Sequence, residues 1–442
     1  MLNWIWLALI VAGALIAGFT GQVQPAVDGA FSSVAKAVEL AIGLVGVMTL
    51  WLGLMRLAEV SGLVQTVARA LRPILVRLFP EVPAEHPAMG SMVLNLAANA
   101  LGLTNAATPL GLRAMRDLES LNRRPGTATD AMCTFLALNT GSVQLLPITA
   151  IAVLAQAGAQ QPTAIIGTTL LATCCSSLTG LVVIKALARL PIFRVRPEEV
   201  SSPTAEAEAA RPATEEPVGL DSPPASPLPA RLATVALVLC FGWFAWQLVH
   251  PLAPTAEAMA TPLWMRWLNA ISLLAVPFLL AFFPLYAALR RVAVYEQFIE
   301  GAKDGFQTAI RIIPYLVAML VAIGFFRGAG GIELLTQAFS KPLGWLQFPP
   351  ELLPMALLRP LTGSGTLAAF SDLVRVEGPD SLLARMGGTL FGSTETTFYV
   401  IAVYFGAVGI RRTRHAIWAG LAADVAGALA AVWICRLLFA RG

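Results

Sequence analysis

Asn95 and Asn99 stand four apart in NLAANALGLTNAATPLG, a stretch from Asn95 to Gly111 that holds three asparagines, two threonines and a proline inside a very apolar chain. A helix puts residues four apart on one face, so the two amides form one polar patch. An unpartnered amide in an apolar medium costs several kcal/mol, roughly 2–7. These amides therefore require partners. One reading supplies a bound solute whose carbonyl, amide or hydroxyl groups they read; the other makes them structural glue between helices. The sequence leaves both open.

Three further segments carry polar groups that have no place in plain hydrocarbon. LNTGSVQLLP contains Asn139, Thr140, Ser142, Gln144 and Pro147; RPLTGSGTLAAFSDL contains Arg359, Thr362, Ser364 and Thr366; FGSTETTFYV contains Ser393, Thr394, Glu395, Thr396 and Thr397. Glu395 is the sharpest of these. A carboxylate between such flanks must be paired, protonated or cation-coordinating. Asp424, isolated in GLAADVAGAL, is the second acid of this kind. Arg359 either neutralises a carboxylate or anionic ligand or snorkels to an interface.

No catalytic set accompanies them. The chain has no GxSxG, HExxH or Walker loop, so no enzyme is expected. The three histidines (His86, His250, His415) lie far apart and the five cysteines sit in apolar segments. No metal site and no disulfide framework are expected. No cofactor is expected beyond a coupling Na+ or proton.

The elements that must position these residues are membrane helices. Of 442 residues 57% are hydrophobic and 13% charged, against about a quarter charged in soluble domains. Five apolar runs are long enough to span: Trp4–Phe19, Val38–Leu57, Thr163–Leu187, Ala230–His250 and Leu263–Leu289. Met132–Gln156, Ala309–Phe326 and Thr389–Val408 are spans interrupted by polar residues or proline, and Ala416–Cys435 closes the series. Residues 1–20 lack a basic leader and a clear cleavage site, which predicts a retained first helix. The net charge of +4 is dispersed over loops, which argues against nucleic acid.

Within the Asn-rich stretch, Gly102 predicts a chain break, and Thr108-Pro109 predicts a helix start with Thr as N-cap and Pro at the first position. The free N–H groups would then lie around Asn105–Leu110, a site for anionic or carbonyl groups. The stretch reads as one re-entrant hairpin and Arg359–Phe370 as a second.

The chain divides into two halves. Residues 196–229, rich in Pro, Ala, Ser and Glu without an aromatic, predict a flexible linker. It joins residues 1–195 to residues 230–442. VDGAFSSVAKAVELAIGLVG from Val27 matches IEGAKDGFQTAIRIIPYLVA from Ile299, pairing Gly29 with Gly301 and Glu39 with Arg311. Gly62, Pro73 and Phe79-Pro80 likewise match Gly331, Pro342 and Phe348-Pro349. This is an internal repeat, and Glu39 with Arg311 suggests a salt bridge across its axis. Loops around Arg69–Arg77, Arg113–Arg124, Lys185–Arg196 and Arg411–Arg414 are positive and are assigned to the cytoplasm. The repeats then come out inverted, with about nine crossings, two hairpins and an outer C-terminus. Arg359, Arg375 and Arg385 would lie on or near the outer side.

These motifs resemble a known family pair. NLAANALGLTNAATPLGLRAMRDLESLN with TATDAMCTFLALNTGSVQLLP is similar to the spore maturation protein A family. IRIIPYLVAMLVAIGFFRGAGGIELL, ALLRPLTGSGTLAAFSDL and STETTFYVIAVYFGAVGIRRTRHAIWAGLAADVAG are similar to spore maturation protein B. The resemblance covers residues 1–195 and about 265–438, and implies a natural fusion. Both families carry the Gate, or nucleoside recognition, domain, shared with concentrative nucleoside transporters and the membrane part of ferrous-iron transporter B. In spore formers the pair is associated with core dehydration and cortex maturation. The positions matching its motifs are Asn95, Asn99, Asn105, Thr108, Asn139, Arg359, Ser364, Ser393, Thr394 and Glu395.

Together these readings predict an all-α polytopic protein of the bacterial inner membrane with two inverted Gate-type repeats and a cytoplasmic linker. The expected function is movement of a small polar, nucleoside-like or other metabolite by alternating access. The hairpins and broken spans would form the site, and Glu395 and Asp424 would take the coupling ion. The alternative is a non-transporting scaffold for envelope, peptidoglycan or spore maturation. The expected partners are the lipid bilayer and the solute, with a homo-oligomer compatible.

Overall fold

The computed structural model describes residues 2–102, 104–193, 228–251 and 262–439. The expected linker lies almost wholly outside the described residues, as do the side chains of Asn105 and Arg311. The proposed Glu39–Arg311 salt bridge therefore falls outside them too.

In the first half, α1 (Leu2–Thr20) and α2 (Val23–Val60) lead through α3 (Leu63–Leu78) to a hairpin of α4 (Pro87–Ala100) and α5 (Thr104–Ser120). A broken span of α6 (Asp130–Gly141) and α7 (Ile148–Gln156) follows, then α8 (Ile165–Ala188). In the second half, α9 (Leu228–Val249) and α10 (Leu263–Leu289) precede the same series: a long α11 (Val294–Gly328), α12 (Gly331–Trp345), a hairpin of α13 (Leu353–Leu358) and α14 (Gly363–Glu377), a broken span of α15 (Leu382–Ser393) and α16 (Thr397–Ala407), and α17 (Ala416–Phe439). The chain is a polytopic all-α membrane protein. Six described helices (α2, α8, α9, α10, α11 and α17) are long and apolar enough to cross a bilayer. The expectation of about nine crossings rests also on α1 and the two broken pairs, whose helices are individually shorter.

The long helices α2 and α11 pack antiparallel. Glycines make this approach possible, since a Cβ on Gly324 would stand 2.6 Å from the Gly29 carbonyl oxygen and one on Gly301 would stand 2.5 Å from that of Leu52. The repeat alignment equates Gly29 with Gly301, and the same offset equates Gly324 with Leu52. Exchanging the two halves thus carries one contact onto the other, the relation an inverted repeat requires.

The ends of the bundle agree with the loop charges. At one end Ala128 N donates to Arg412 O at 3.0 Å, and Arg414 bonds Asp130 at 2.6 Å and the Phe193 carbonyl at 2.8 Å. The loops assigned to the cytoplasm around residues 124, 193 and 412 therefore share one face. A second loop pair joins where Gln160 N donates to Asp380 at 3.1 Å. Of the cations expected to lie on or near the outer side, Arg375 shares the buried Asp372 with Arg327 and Arg385 lies over the Phe439 ring at 4.6 Å, whereas Arg359 is buried without an ion pair among the described residues.

One local expectation is corrected. α5 begins at Thr104, so Pro109 lies inside the helix rather than at its first position, and Thr108 is not the N-cap. Proline here forfeits only the bond from its own nitrogen to the Asn105 carbonyl, close to the helix start, which α5 tolerates. The free N–H end moves toward Gly102.

Candidate functional site

Four chain breaks converge. Gly102, with φ of +78°, ends the first hairpin's descending arm; only a residue at ease with positive φ turns the chain there. In the second hairpin, Thr362 caps α14 by accepting from Gly365 N at 3.2 Å, and Thr362 and Ser364 hydroxyls lie 3.3 Å apart. The first broken span turns at Ser142, which adopts a left-handed φ of +34° without being glycine. Such strain is held only where the surroundings enforce it; here Thr173 Oγ1 donates to the Gly141 and Ser142 carbonyls at 2.7 Å each. The second span opens at Thr394–Thr396.

The breaks are tied by the backbone groups that each interruption frees. Leu145 N donates to Ala100 O at 3.1 Å, and Phe398 N to Pro360 O at 2.9 Å. Each broken span is thereby bonded to the break of its own half's hairpin. Glu395 N donates across the halves to Thr140 O at 2.7 Å. Free backbone groups at such depth need partners, and these bonds supply them.

A cavity of about 240 Å³ opens where the breaks meet. Its wall includes Gly102, Gln144, Arg359, Gly363 and Glu395, so all four breaks contribute. Gln144 Nε2 donates to Glu395 Oε1 at 3.1 Å. Arg359 is 6% exposed and lies over the Phe391 ring at 4.8 Å. α2 and α11 close the far side with a paired Arg56 and Glu59, 3.0 Å apart, and with Asp304.

The family model described as Gate, nucleoside recognition, matches residues 41–189 and 309–411. These segments contain α4 to α8 and α12 to the second broken span, hence every break that lines the cavity. The chain belongs to the Gate family. Spore maturation protein B of Bacillus subtilis (strain 168) is 42% identical over 175 residues, 40% of this chain and 98% of that protein. Spore maturation protein A of the same organism is 42% identical over 183 residues, 41% of this chain and 93% of that protein. Two nearly whole proteins thus find their counterparts within one chain, consistent with a fusion. No solved structure matches.

In this Gate protein the asparagines occupy a separate cluster. Asn99 Nδ2 donates to Asn139 Oδ1 at 2.8 Å, and Asn139 Nδ2 to the Phe135 carbonyl at 2.9 Å. The buried Asn95 donates to the Ala107 carbonyl at 2.7 Å and to the Tyr404 hydroxyl at 3.3 Å. The Tyr404 hydroxyl reaches Asn139 Oδ1 at 3.4 Å, and its ring stacks on Phe135. These amides clamp the first hairpin to the first broken span and to α16, and none of them lines the cavity. Thr108 is half-buried and engaged.

A third polar group surrounds the buried Asp424. Thr397 Oγ1 donates to Asp424 Oδ2 at 2.6 Å and Thr394 also reaches the carboxylate. Ser393 Oγ donates back to Leu390 O at 2.9 Å, and Ser176 Oγ to Ala423 O at 2.9 Å. Thr140 Oγ1 and Ser142 Oγ are buried without a hydrogen-bond partner among the described residues. Of the residues singled out from the sequence, Gln144, Arg359 and Glu395 line the cavity; Asn95, Asn99 and Asn139 lie in the amide cluster, and Thr394 lies beside Asp424.

Sequence reasoning missed Tyr404 and the charges on α2 and α11. Arg56 and Glu59 carried a usable signal, opposite charges three apart near the end of an apolar run. Tyr404 carried none, because its partners are 265 and 309 positions away.

Proposed function

We propose that this Gate protein is a transporter that moves a small polar solute by alternating access through the cavity at the four chain breaks. The observation supporting it most is the convergence itself. Two hairpin breaks and two broken spans, one pair from each half, frame one polar cavity between antiparallel long helices. Discontinuous helices at a repeat interface are the usual architecture of secondary-transporter sites. Gln144 and Glu395 read the solute's polar groups, and Glu395 with Asp424 takes up a coupling Na+ or proton. The chemistry is non-enzymatic. We place the protein in a bacterial inner membrane, with the linker and the end carrying Arg414 in the cytoplasm, on the positive loop charges.

A second reading is a non-transporting scaffold in envelope or spore maturation. It is favoured by the names of the two Bacillus relatives and by an amide cluster that satisfies itself internally. Thermal stability of the purified protein against nucleosides, nucleobases, amino acids and cell-wall fragments separates the two. The transport reading expects a class of small solutes to raise Tm, with the rise lost in Glu395→Gln. Stabilisation by cell-wall fragments alone would support the scaffold.

A further inference from the structure

Arg359 is the most exposed contradiction in the electrostatics of the fold. Its side chain is 94% removed from solvent, yet its Nε is buried without a hydrogen-bond partner among the described residues. No carboxylate stands within ion-pair distance of it among the described residues; the fields of Glu395 and then Asp424 reach it, but Glu395 is engaged by Gln144 and Asp424 by Thr397. A buried charge without a partner is strongly destabilising. A guanidinium offers five N–H donors in a planar fork that matches a carboxylate with two parallel bonds. Phe391 covers one face of that fork, which leaves its edge for the ligand.

Two further features of the cavity bear on the ligand's chemistry. Gly363 lines it as the first residue of α14, a 15-residue helix in which the Thr362 cap takes Gly365 N, leaving the Gly363 and Ser364 N–H groups without an intrahelical acceptor. An anion held by Arg359 would meet those donors as well. The remaining charges of a largely apolar wall are acidic: with Arg56 and Glu59 paired to each other, Asp304 and Glu395 remain. A dianion such as phosphate is disfavoured beside two carboxylates, and a neutral nucleoside leaves Arg359 uncompensated.

We infer that the solute carries a single carboxylate, bound by Arg359 and the start of α14, with a cationic group facing Asp304 and Glu395. The natural class is a small zwitterion of amino-acid type. This inference rests on the transport reading of the same cavity.

Gly363→Cys provides the probe. The nearest atom to a Cβ there is Thr396 Oγ1 at 3.4 Å, an ordinary contact, so the variant fits. Labelling is followed by peptide mass spectrometry at position 363, so Cys174, Cys175 and Cys240, which are exposed, do not contribute. The sulfonate-bearing methanethiosulfonate should react on the order of tenfold faster than its trimethylammonium analogue, each rate normalised to a free thiol. Arg359→Gln should remove that preference. Glycine should slow the reaction and uridine should not. Should Arg359→Gln not fold, Arg359→Lys keeps the charge and loses the fork: the reagent preference should stay and glycine protection should fall. Reaction without charge preference, or equal protection by uridine, would overturn the carboxylate assignment and leave the transport reading standing. No reaction with either reagent would overturn both, because the cavity would be closed to water.

Discussion

Gln144 and Glu395 meet at 3.1 Å from the two halves of the chain, each at the break of its own interrupted span. The pair joins the breaks through side chains where Glu395 N and Thr140 O join them through backbone. On the proposed transport function, a solute entering the cavity competes for these groups, and movement of one half against the other must break or remake them.

The pair therefore separates function from stability. Glu395→Gln keeps the shape and a hydrogen bond to Gln144 but loses the charge. Its Tm should stay within a few degrees of the parent while uptake of solute into reconstituted vesicles is abolished. Gln144→Ala should cost about 1 kcal/mol, because the half-buried Glu395 carboxylate loses a donor. Urea or thermal unfolding in detergent measures the second, and vesicle uptake the first.

The amide cluster should behave in the opposite way. Asn139→Ala removes the acceptor of Asn99 and the donor to Phe135 O, and should lower stability by about 1–3 kcal/mol. Asn99→Ala should do likewise. If folded, both variants should keep solute affinity within about threefold. A large loss of affinity at unchanged Tm would return these asparagines to the binding site.

The helix pair α2–α11 predicts a matched cost at equivalent positions. Gly29→Ala and Gly301→Ala each drive a methyl into a backbone carbonyl, that of Gly324 and that of Leu52, and should destabilise by roughly 1–3 kcal/mol. Gly46→Ala, on the same α2, meets no atom within 4 Å and should be neutral or slightly stabilising. Thermal unfolding of the three variants in one detergent provides the comparison.

His415, just before α17, gives a pH dependence. It is fully buried, both ring nitrogens lack hydrogen-bond partners among the described residues, and burial together with the neighbouring Arg414 pushes its pKa down to about 4. The unfolded chain, with an ordinary histidine near 6.5, binds the proton more readily. Stability should then be full above about pH 6.5 and fall as pH drops toward 4, with a slope of up to about 1.4 kcal/mol per pH unit from this residue. His415→Gln should flatten Tm against pH in that window.

Local signals carried the architecture. Gly102, the TGSG run at Thr362 and the polar interruptions at Asn139 and Glu395 each announce a break, because backbone at membrane depth tolerates irregularity only where it lines a cavity or meets protein. Pro109 misled, since proline's preference for a helix start is a tendency and α5 has partners elsewhere. The division of labour among polar residues was not legible. Asn99 and Gln144 look equally suited to a ligand in one dimension. Only the fold places Asn139 against the first and a carboxylate 251 positions away against the second. Asp304, drawn to the cavity by the packing of α11 on α2, was invisible for the same reason.

Alternating access requires one cavity that opens to both sides of the membrane in turn. Gln144→Cys, labelled with an impermeant thiol reagent in right-side-out and in inverted vesicles, tests it most directly. Position 144 should react from both sides, with a cognate solute slowing both reactions. Reaction from one side alone, under every condition of solute and ion, would contradict alternating access and leave a one-sided pocket in a static scaffold.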